Sequence, residues 1–279
     1  MGSMKNAIIY LLNDTDEDKK TFVDSFDLLY KNYLKENPCD VVCFHEPNFC
    51  EKEKDFLKNK YKDAGIILQE IVFDLPDYTE EIKSKILEYS PHPEKLWRDR
   101  GHKGFPMGYR HMCNFFAGGF INLKCLDKYK YIWRLDTDSF ILEKINYNVF
   151  ERMDSSNSLY GYINIQHDHI DAVKDLWETC ENYFTKENKV FKSKDLHFRR
   201  VFYSNFEIFK MSWFKSKPYQ DFYNYINSTG GIYINRWGDH AIRYLGLNSL
   251  EDKSKFLFFH DVVYKHGSVY NNKEIIDTY

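Results

Sequence analysis

An open α/β sheet, mixed but mainly parallel and flanked by helices in the Rossmann-like manner, is the fold class this 279-residue sequence predicts. Three observations carry that reading. Short apolar runs fit for strands buried on both faces alternate with stretches of helical period. Each run stops at a turn or cap signal, and the β-α-β order calls for right-handed parallel crossovers. A hydrophobic share of 43% against 29% charged residues gives a chain of this length enough apolar side chain for one compact domain, which we place at residues 4–279.

The first strand is Ala7-Ile-Ile-Tyr-Leu-Leu12, ended by Asn13-Asp14-Thr15-Asp16. From Asp18 to Leu34, Phe22, Phe26, Leu29, Tyr30 and Tyr33 recur at steps of one, three and four, the pattern of an amphipathic helix. Asp40 to His45 reads as the second strand, Cys50 to Lys62 as a helix and Ile66 to Phe73 as the third strand. Residues 91–108, with three prolines and three glycines, form a polar loop placed to face a substrate. A helix resumes at Tyr109–Phe120, and Tyr129–Leu135 is a strand that ends on Asp136-Thr137-Asp138. Beyond it we expect helix over 170–190, strand and turn over 198–210, and helix over 216–228.

Several functional classes fall away at once. Net charge is −3 with both signs interspersed, so electrostatic capture of nucleic acid is not expected. No apolar run reaches the roughly 18 residues of a membrane span. The six cysteines contain no C-x-x-C pair and read as reduced thiols. Met1-Gly2-Ser3 ahead of Met4 reads as a leader added before a native start. Glycine-rich phosphate loops are missing, so a bound nucleotide needs another grip.

That grip is available in Asp136 and Asp138. Two carboxylates at i and i+2 on extended backbone point to one side, where they can share a divalent cation, and the carboxyl end of a strand is where α/β proteins bind ligands. A solvated turn is the competing reading. Ser204-Asn205-Phe206-Glu207 places one carboxylate in an apolar run, which requires a partner or a functional role; Arg199, Arg200 and Arg236 are candidate partners. Arg236-Trp237-Gly238-Asp239-His240 reads either as a site segment or as a turn with Asp239 capping a helix. His167-Asp168-His169 could present two rings to one side, and His260 and His266 stand near the C-terminus.

These segments together resemble one family, the fungal-type α-1,2-mannosyltransferases of glycosyltransferase family 15. Tyr109-Arg-His-Met-Cys-Asn is similar to the family's Tyr-Arg-x-Met-Cys-Arg segment, and Tyr131-Ile-Trp-Arg-Leu-Asp-Thr-Asp138 to its Tyr-Trp-Arg-Val-Glu-Pro-Asp block. Tyr160-Gly-Tyr162, Tyr203-Ser-Asn-Phe-Glu-Ile208 and Arg236-Trp-Gly-Asp239 follow in the family's order. The resemblance implies a single-domain GT-A-like fold, GDP-mannose as donor, Mn²⁺ as cofactor, and retaining transfer to a mannose-bearing or other glycan or glycoprotein acceptor. It carries the metal and donor site over to Asp136, Asp138, His266 and Arg236, the nucleophile or cation-stabilising carboxylate to Glu207, and a substrate-site tyrosine to Tyr109. Glu207→Gln is accordingly expected to spare folding and GDP binding while abolishing transfer. Lys265, Arg236 and Arg243 are candidate cations near the diphosphate, and Trp97, Trp133 and Trp237 candidate sugar platforms.

The chain also departs from the family. Asp-Thr-Asp stands for Glu-Pro-Asp, and His240-Ala-Ile-Arg243 for Ala-Pro-Val-His. No family anchor is visible, so a cytoplasmic location, that of an infected host cell included, is expected in preference to the family's Golgi lumen. A different nucleotide sugar, or a sugar-binding protein with decayed catalysis, remains as an alternative; a phosphoesterase would want more His and Asp ligands.

Overall fold

The computed structural model describes residues 5–89, 106–192 and 198–271. Most of the polar loop expected at 91–108, Trp97 included, lies outside them. β1 (Lys5–Leu12), β2 (Asp40–His45) and β3 (Ile66–Glu70) alternate with α1 (Asp16–Leu29) and α2 (Glu51–Lys60). After α3 (Glu80–Tyr89) and α4 (Met107–Ala117), β4 (Tyr129–Leu135) enters the centre of the sheet. β5 (Ser139–Ile141), α5 (Val149–Ser155), β6 (Tyr160–Tyr162), β7 (Ile165–His167), α6 (Leu176–Lys186), β8 (Arg200–Phe202) and β9 (Phe206–Lys210) follow. The chain closes with α7 (Lys217–Ser228), α8 (Asp239–Leu250), β10 (Phe256–Phe258), β11 (Tyr264–His266) and β12 (Val269–Asn271).

The seven-stranded sheet runs β10-β6-β9-β4-β1-β2-β3. β1 is parallel to β2 and β4, β2 to β3, and β10 to β6, whereas β9 lies antiparallel to both β4 and β6. The expected fold class is therefore what the chain adopts, with β9 as the reversed strand.

Alternation along each strand divides the core. Ile8, Tyr10 and Leu12 pack with α1 residues Phe22, Phe26 and Leu29 on one face, while Ala7 and Ile9 belong to the opposite cluster, which holds Phe116, Ile242 and Leu245. On β4, Tyr131, Trp133 and Leu135 join the α1 face and Ile132 the α8 face. Arg134 alternates with them onto the α8 face, and Glu207, its direct cross-strand partner on β9, does the same. Two charged groups thus enter a core layer because strand period puts them there.

Helix starts follow the cap chemistry. Thr15 accepts the Asp18 amide at 3.2 Å, and Asp16, Glu17 and Asp18 complement the macrodipole of α1. The helix expected over 170–190 is interrupted at Asp175, whose φ of 62° stops a 3₁₀ turn before α6 begins. All six cysteines are free, as expected.

Gly231 is held to glycine by Trp237, whose ring carbons would lie 2.2–2.5 Å from a Cβ at that position. Trp237 is buried and donates its Nε1–H to the Lys174 carbonyl at 2.6 Å, so it has nowhere to retreat. Gly231→Ala is expected to cost about 1–3 kcal/mol, as overpacking does. Gly108→Ala, where a Cβ meets nothing within 4 Å, is the matched control and is expected to be neutral or stabilising. Urea unfolding of the two variants measures the difference.

Candidate active site

The loop leaving β4 is a polar turn anchored from three sides of the sequence: by Asn205, Tyr264 and Ser25. The Asp136 amide donates to the Asn205 carbonyl at 3.2 Å, and the Ser139 amide to the Asp136 carbonyl at 3.0 Å. Ser139 Oγ reaches the Asn205 carbonyl (3.0 Å) and Tyr264 Oη (2.7 Å), while Ser25 Oγ on α1 donates to the Thr137 carbonyl (2.6 Å). A three-stranded sheet, β12-β11-β5, lays β11 antiparallel on β5 and pairs His266 with Ser139, the residue after Asp138. Register alone therefore brings His266 to the acidic turn.

His266 Nε2 lies 2.9 Å from Asp138 Oδ1 and 3.8 Å from Asp136 Oδ2. Its Nδ1 is 2.8 Å from Tyr203 Oη, which can also donate to the His266 carbonyl at 3.3 Å. Because a carboxylate can only accept, Nε2–H donates to Asp138 here; a cation shared by the two carboxylates and Nε2 would take that proton's place, with Nδ1–H turned to Tyr203, the arrangement that orients metal-binding histidines generally. Burial raises the Asp138 carboxyl, but the hydrogen bond and charge of His266 outweigh it and hold the group below its usual range. Among the described residues no preformed cage of three or more His, Cys, Asp or Glu donors is present. As a donor set, two hard carboxylates and one imidazole nevertheless fit Mn²⁺, with further positions left for phosphate oxygens.

Asp136 is also the near end of a buried network. Its Oδ1 accepts from Arg134 Nε and Nη2 at 3.2 and 3.1 Å. Arg134 Nη1 donates to Asp239 Oδ2 at 2.5 Å and to Glu207 Oε1 at 3.4 Å, and its guanidinium lies 3.6 Å from the Phe116 ring centre. Glu207 is wholly buried. Arg243 grips it through Nε (2.9 Å) and Nη2 (3.2 Å), and Tyr160 donates to Oε2 at 2.9 Å. Its partners are therefore Arg134 and Arg243, not the arginines at 199, 200 or 236 raised from sequence.

Asp239 does not cap α8; Gly238 occupies that position without a side-chain cap, and the Asp239 carboxylate turns to Arg134 and to Ser204 Oγ at 2.8 Å. Burial pushes this carboxyl up, yet Arg134, His240 and Arg243 bring it down to about 2. A carboxyl depressed on folding stabilises above its unfolded value near 4 and loses that contribution as pH falls through the folded value. Acid titration of stability should thus show a loss of about 2 kcal/mol between pH 4 and 2 that Asp239→Asn lacks.

A cleft of about 410 Å³ opens over these strand ends, lined among others by Arg134, Asp136, Ser204, Asn205, Asp239 and His266 together with Tyr109, Gln166, His167, Asp168 and His240. Its size suits a sugar-bearing ligand. Tyr109 Oη accepts Arg236 Nη2 at 2.8 Å with the guanidinium 5.0 Å from its ring, and Arg236 Nη1 stands 3.8 Å from Asp168. The structure thus joins Asp136, Asp138 and His266 in one cluster and Tyr109 with Arg236 in another, while Glu207 sits behind the wall. Lys265 lies between the Phe140 and Tyr270 rings, Arg243 is spent on Glu207, and Trp133 and Trp237 are core. His169 turns to Asp171, so the H-x-H pair is not a shared site.

Sequence reasoning gave Arg134 and Tyr203 no role and did not pair Asp168 with His240. A charged residue inside the apolar run Tyr131–Leu135 signals Arg134 by the logic that flagged Glu207. Nothing local signals the contact of Tyr203 with His266 or of Asp168 with His240.

An α/β sheet whose central strand ends on an acidic turn, completed by a histidine from a distant strand and facing a polar cleft, defines a GT-A-like glycosyltransferase architecture. Residues 2–276 match the family described as glycolipid 2-alpha-mannosyltransferase, and the chain belongs to that family. The glycolipid 2-alpha-mannosyltransferase of Saccharomyces cerevisiae is 30% identical over 95% of this chain and 61% of its own length. The probable mannosyltransferase KTR4 of the same yeast is 27% identical, again over 95% of this chain and 61% of that protein. Among solved structures, the Mn/GDP form of core-mannan synthase A (CmsA/Ktr4) from Aspergillus fumigatus superposes with a TM-score of 0.84 at 22% identity, covering 97% of this chain and 76% of that one. S. cerevisiae Ktr4p in complex with GDP gives 0.82 at 25% identity, covering 97% and 73%. The chain therefore spans about three fifths of the length of these two yeast relatives.

One expectation is corrected. Membership of a family whose fungal relatives are glycolipid and O-glycoside mannosyltransferases overturns the cytoplasmic location expected from the sequence. Among the described residues no helix is long and apolar enough to cross a membrane, and that fact assigns no compartment.

Proposed function

We propose that this chain transfers mannose from GDP-mannose to a hydroxyl of a glycan acceptor, with Mn²⁺ and with retention at the anomeric carbon. The convergence of Asp136, Asp138 and His266, the first and last of which line the cleft, carries the reading, because a nucleoside diphosphate needs a cation where no glycine-rich loop cradles it. Relatives described as mannosyltransferases, one of them solved with Mn and GDP, support it. Asp136, Asp138 and His266 would hold the metal, with Tyr203 fixing the histidine ring. Mn²⁺ bound there supplies Lewis-acid stabilisation of the departing diphosphate.

The remaining parts are assigned to the chain's own side chains. Arg134 lines the cleft and adds fixed positive charge beside Asp136. Tyr109, steadied by Arg236, also lines the cleft and offers an aromatic ring to a sugar. Glu207 acts one layer back: with both oxygens bound to guanidinium groups, it favours orienting Arg134 over attacking the sugar. Retention then follows when the acceptor enters on the face the diphosphate leaves.

Thermal stability against a panel of nucleotide sugars, with and without Mn²⁺, tests the donor. GDP-mannose is expected to raise the melting temperature in a Mn²⁺-dependent way, by an amount that grows with the logarithm of its concentration. A shift confined to a different nucleotide sugar would replace the donor, and no shift with any of them would leave a sugar-binding protein.

A further inference from the structure

The cleft carries a second polar device that the donor site does not use. His240 Nε2 lies 2.7 Å from Asp168 Oδ2, and both residues line the cleft. The pair is built across elements. Asp168 follows β7 and is fixed by the His169 amide at 2.7 Å, whereas His240 is the second residue of α8. Its ring lies over the bare α-carbon of Gly238, where a Cβ would stand 2.1 Å from Cε1.

A carboxylate can only accept, so Nε2 carries the ring proton and the neutral ring keeps its lone pair on Nδ1. Among the described residues Nδ1 has no hydrogen-bond partner. Burial raises the Asp168 carboxyl, but the bond to His240, its charge and Arg236 outweigh that and hold it below its usual range, so the acceptor role persists. The charged groups facing the ring are Asp168 from the β7 turn, Arg236 from the preceding loop and Asp239 from its own helix. This is the composition of a proton acceptor: an imidazole in one tautomer, braced by a carboxylate.

We propose that His240 is the proton acceptor for the incoming acceptor hydroxyl, with Asp168 as its positioning residue. This rests on the transferase reading above. As the hydroxyl oxygen bonds to the anomeric carbon, the bond from that carbon to the diphosphate breaks, its electron pair leaves with GDP, and the hydroxyl proton passes to His240 Nδ1. Release of that proton to solvent restores the neutral ring. Asp168→Asn breaks this arrangement too, since an amide can donate to Nε2 and push the ring proton onto Nδ1.

Transfer from GDP-mannose to a mannoside is measured against pH in His240→Gln, His240→Ala and Asp168→Asn, beside the Mn²⁺-dependent thermal shift with GDP. The expected result is a fall in kcat of about 10²–10⁴-fold in His240→Gln, the usual worth of a general base, with acceptor KM and the GDP shift preserved. Loss of the acidic limb of the kcat profile should accompany it, and added imidazole should restore part of the activity of His240→Ala. A kcat within threefold of the parent, or a fall with unchanged pH dependence and no imidazole rescue, overturns the proposal. Absence of any GDP shift in the parent chain defeats the donor reading instead, and with it this role.

Discussion

Glu207→Ala is expected to lower stability by about 3–5 kcal/mol, because it leaves Arg243 buried without its carboxylate and strips one partner from Arg134. Both side chains of the Glu207–Arg243 pair are wholly shielded, so solvent cannot compensate. Glu207→Gln keeps the volume and a hydrogen bond to Tyr160 but loses the charge, and it too is expected to destabilise. The sequence-based expectation of nearly intact folding in that variant therefore changes with the geometry. Replacing both partners, as in Glu207→Leu with Arg243→Met, should recover most of the loss, since an apolar pair of similar volume often substitutes for a buried ion pair. Chemical denaturation of the two single variants and the double variant gives the coupling. An unchanged midpoint in Glu207→Ala would show that the carboxylate is not the keystone of this network.

Asp138→Asn should behave in the opposite way. Its side chain is 37% exposed and its bond is to His266, itself partly exposed, so stability should fall by no more than about 1 kcal/mol. Activity should collapse by about 10²–10⁴-fold, the rate equivalent of the several kcal/mol a Lewis acid contributes to a charged leaving group. The Mn²⁺-dependent shift with GDP should vanish in parallel. Denaturation curves and initial rates on one preparation separate the two residues: Glu207 fails through folding, Asp138 through chemistry. An Asp138→Asn variant with parental rates in Mn²⁺ would place the metal elsewhere.

Ala7–Leu12, Asp40–His45 and Tyr129–Leu135 were legible as strands because their composition carries burial on both faces, although the place of β4 beside β1 was not. β9 was harder. Its reversed direction comes from pairing with β4 and β6, which no local pattern encodes. The acidic turn was legible from its place after an apolar strand, and His266 from the family resemblance, but the register that joins them runs through β5 and β11, three residues each. Arg134 and Glu207 face each other because both alternate onto the α8 side, so a reading that pairs strands first would have found the network. Asp168 and His240 are 72 positions apart and meet because the turn after β7 lies against the start of α8. That contact is tertiary.

The most direct test of the account is to incubate the purified chain with GDP-mannose, Mn²⁺ and a mannoside acceptor and to analyse the product by mass and anomeric configuration. The account predicts an acceptor heavier by one hexose, α-linked, formed with release of GDP and absent when Mn²⁺ is chelated. An unmodified acceptor alongside intact GDP-mannose, in a chain that still binds GDP, would contradict it.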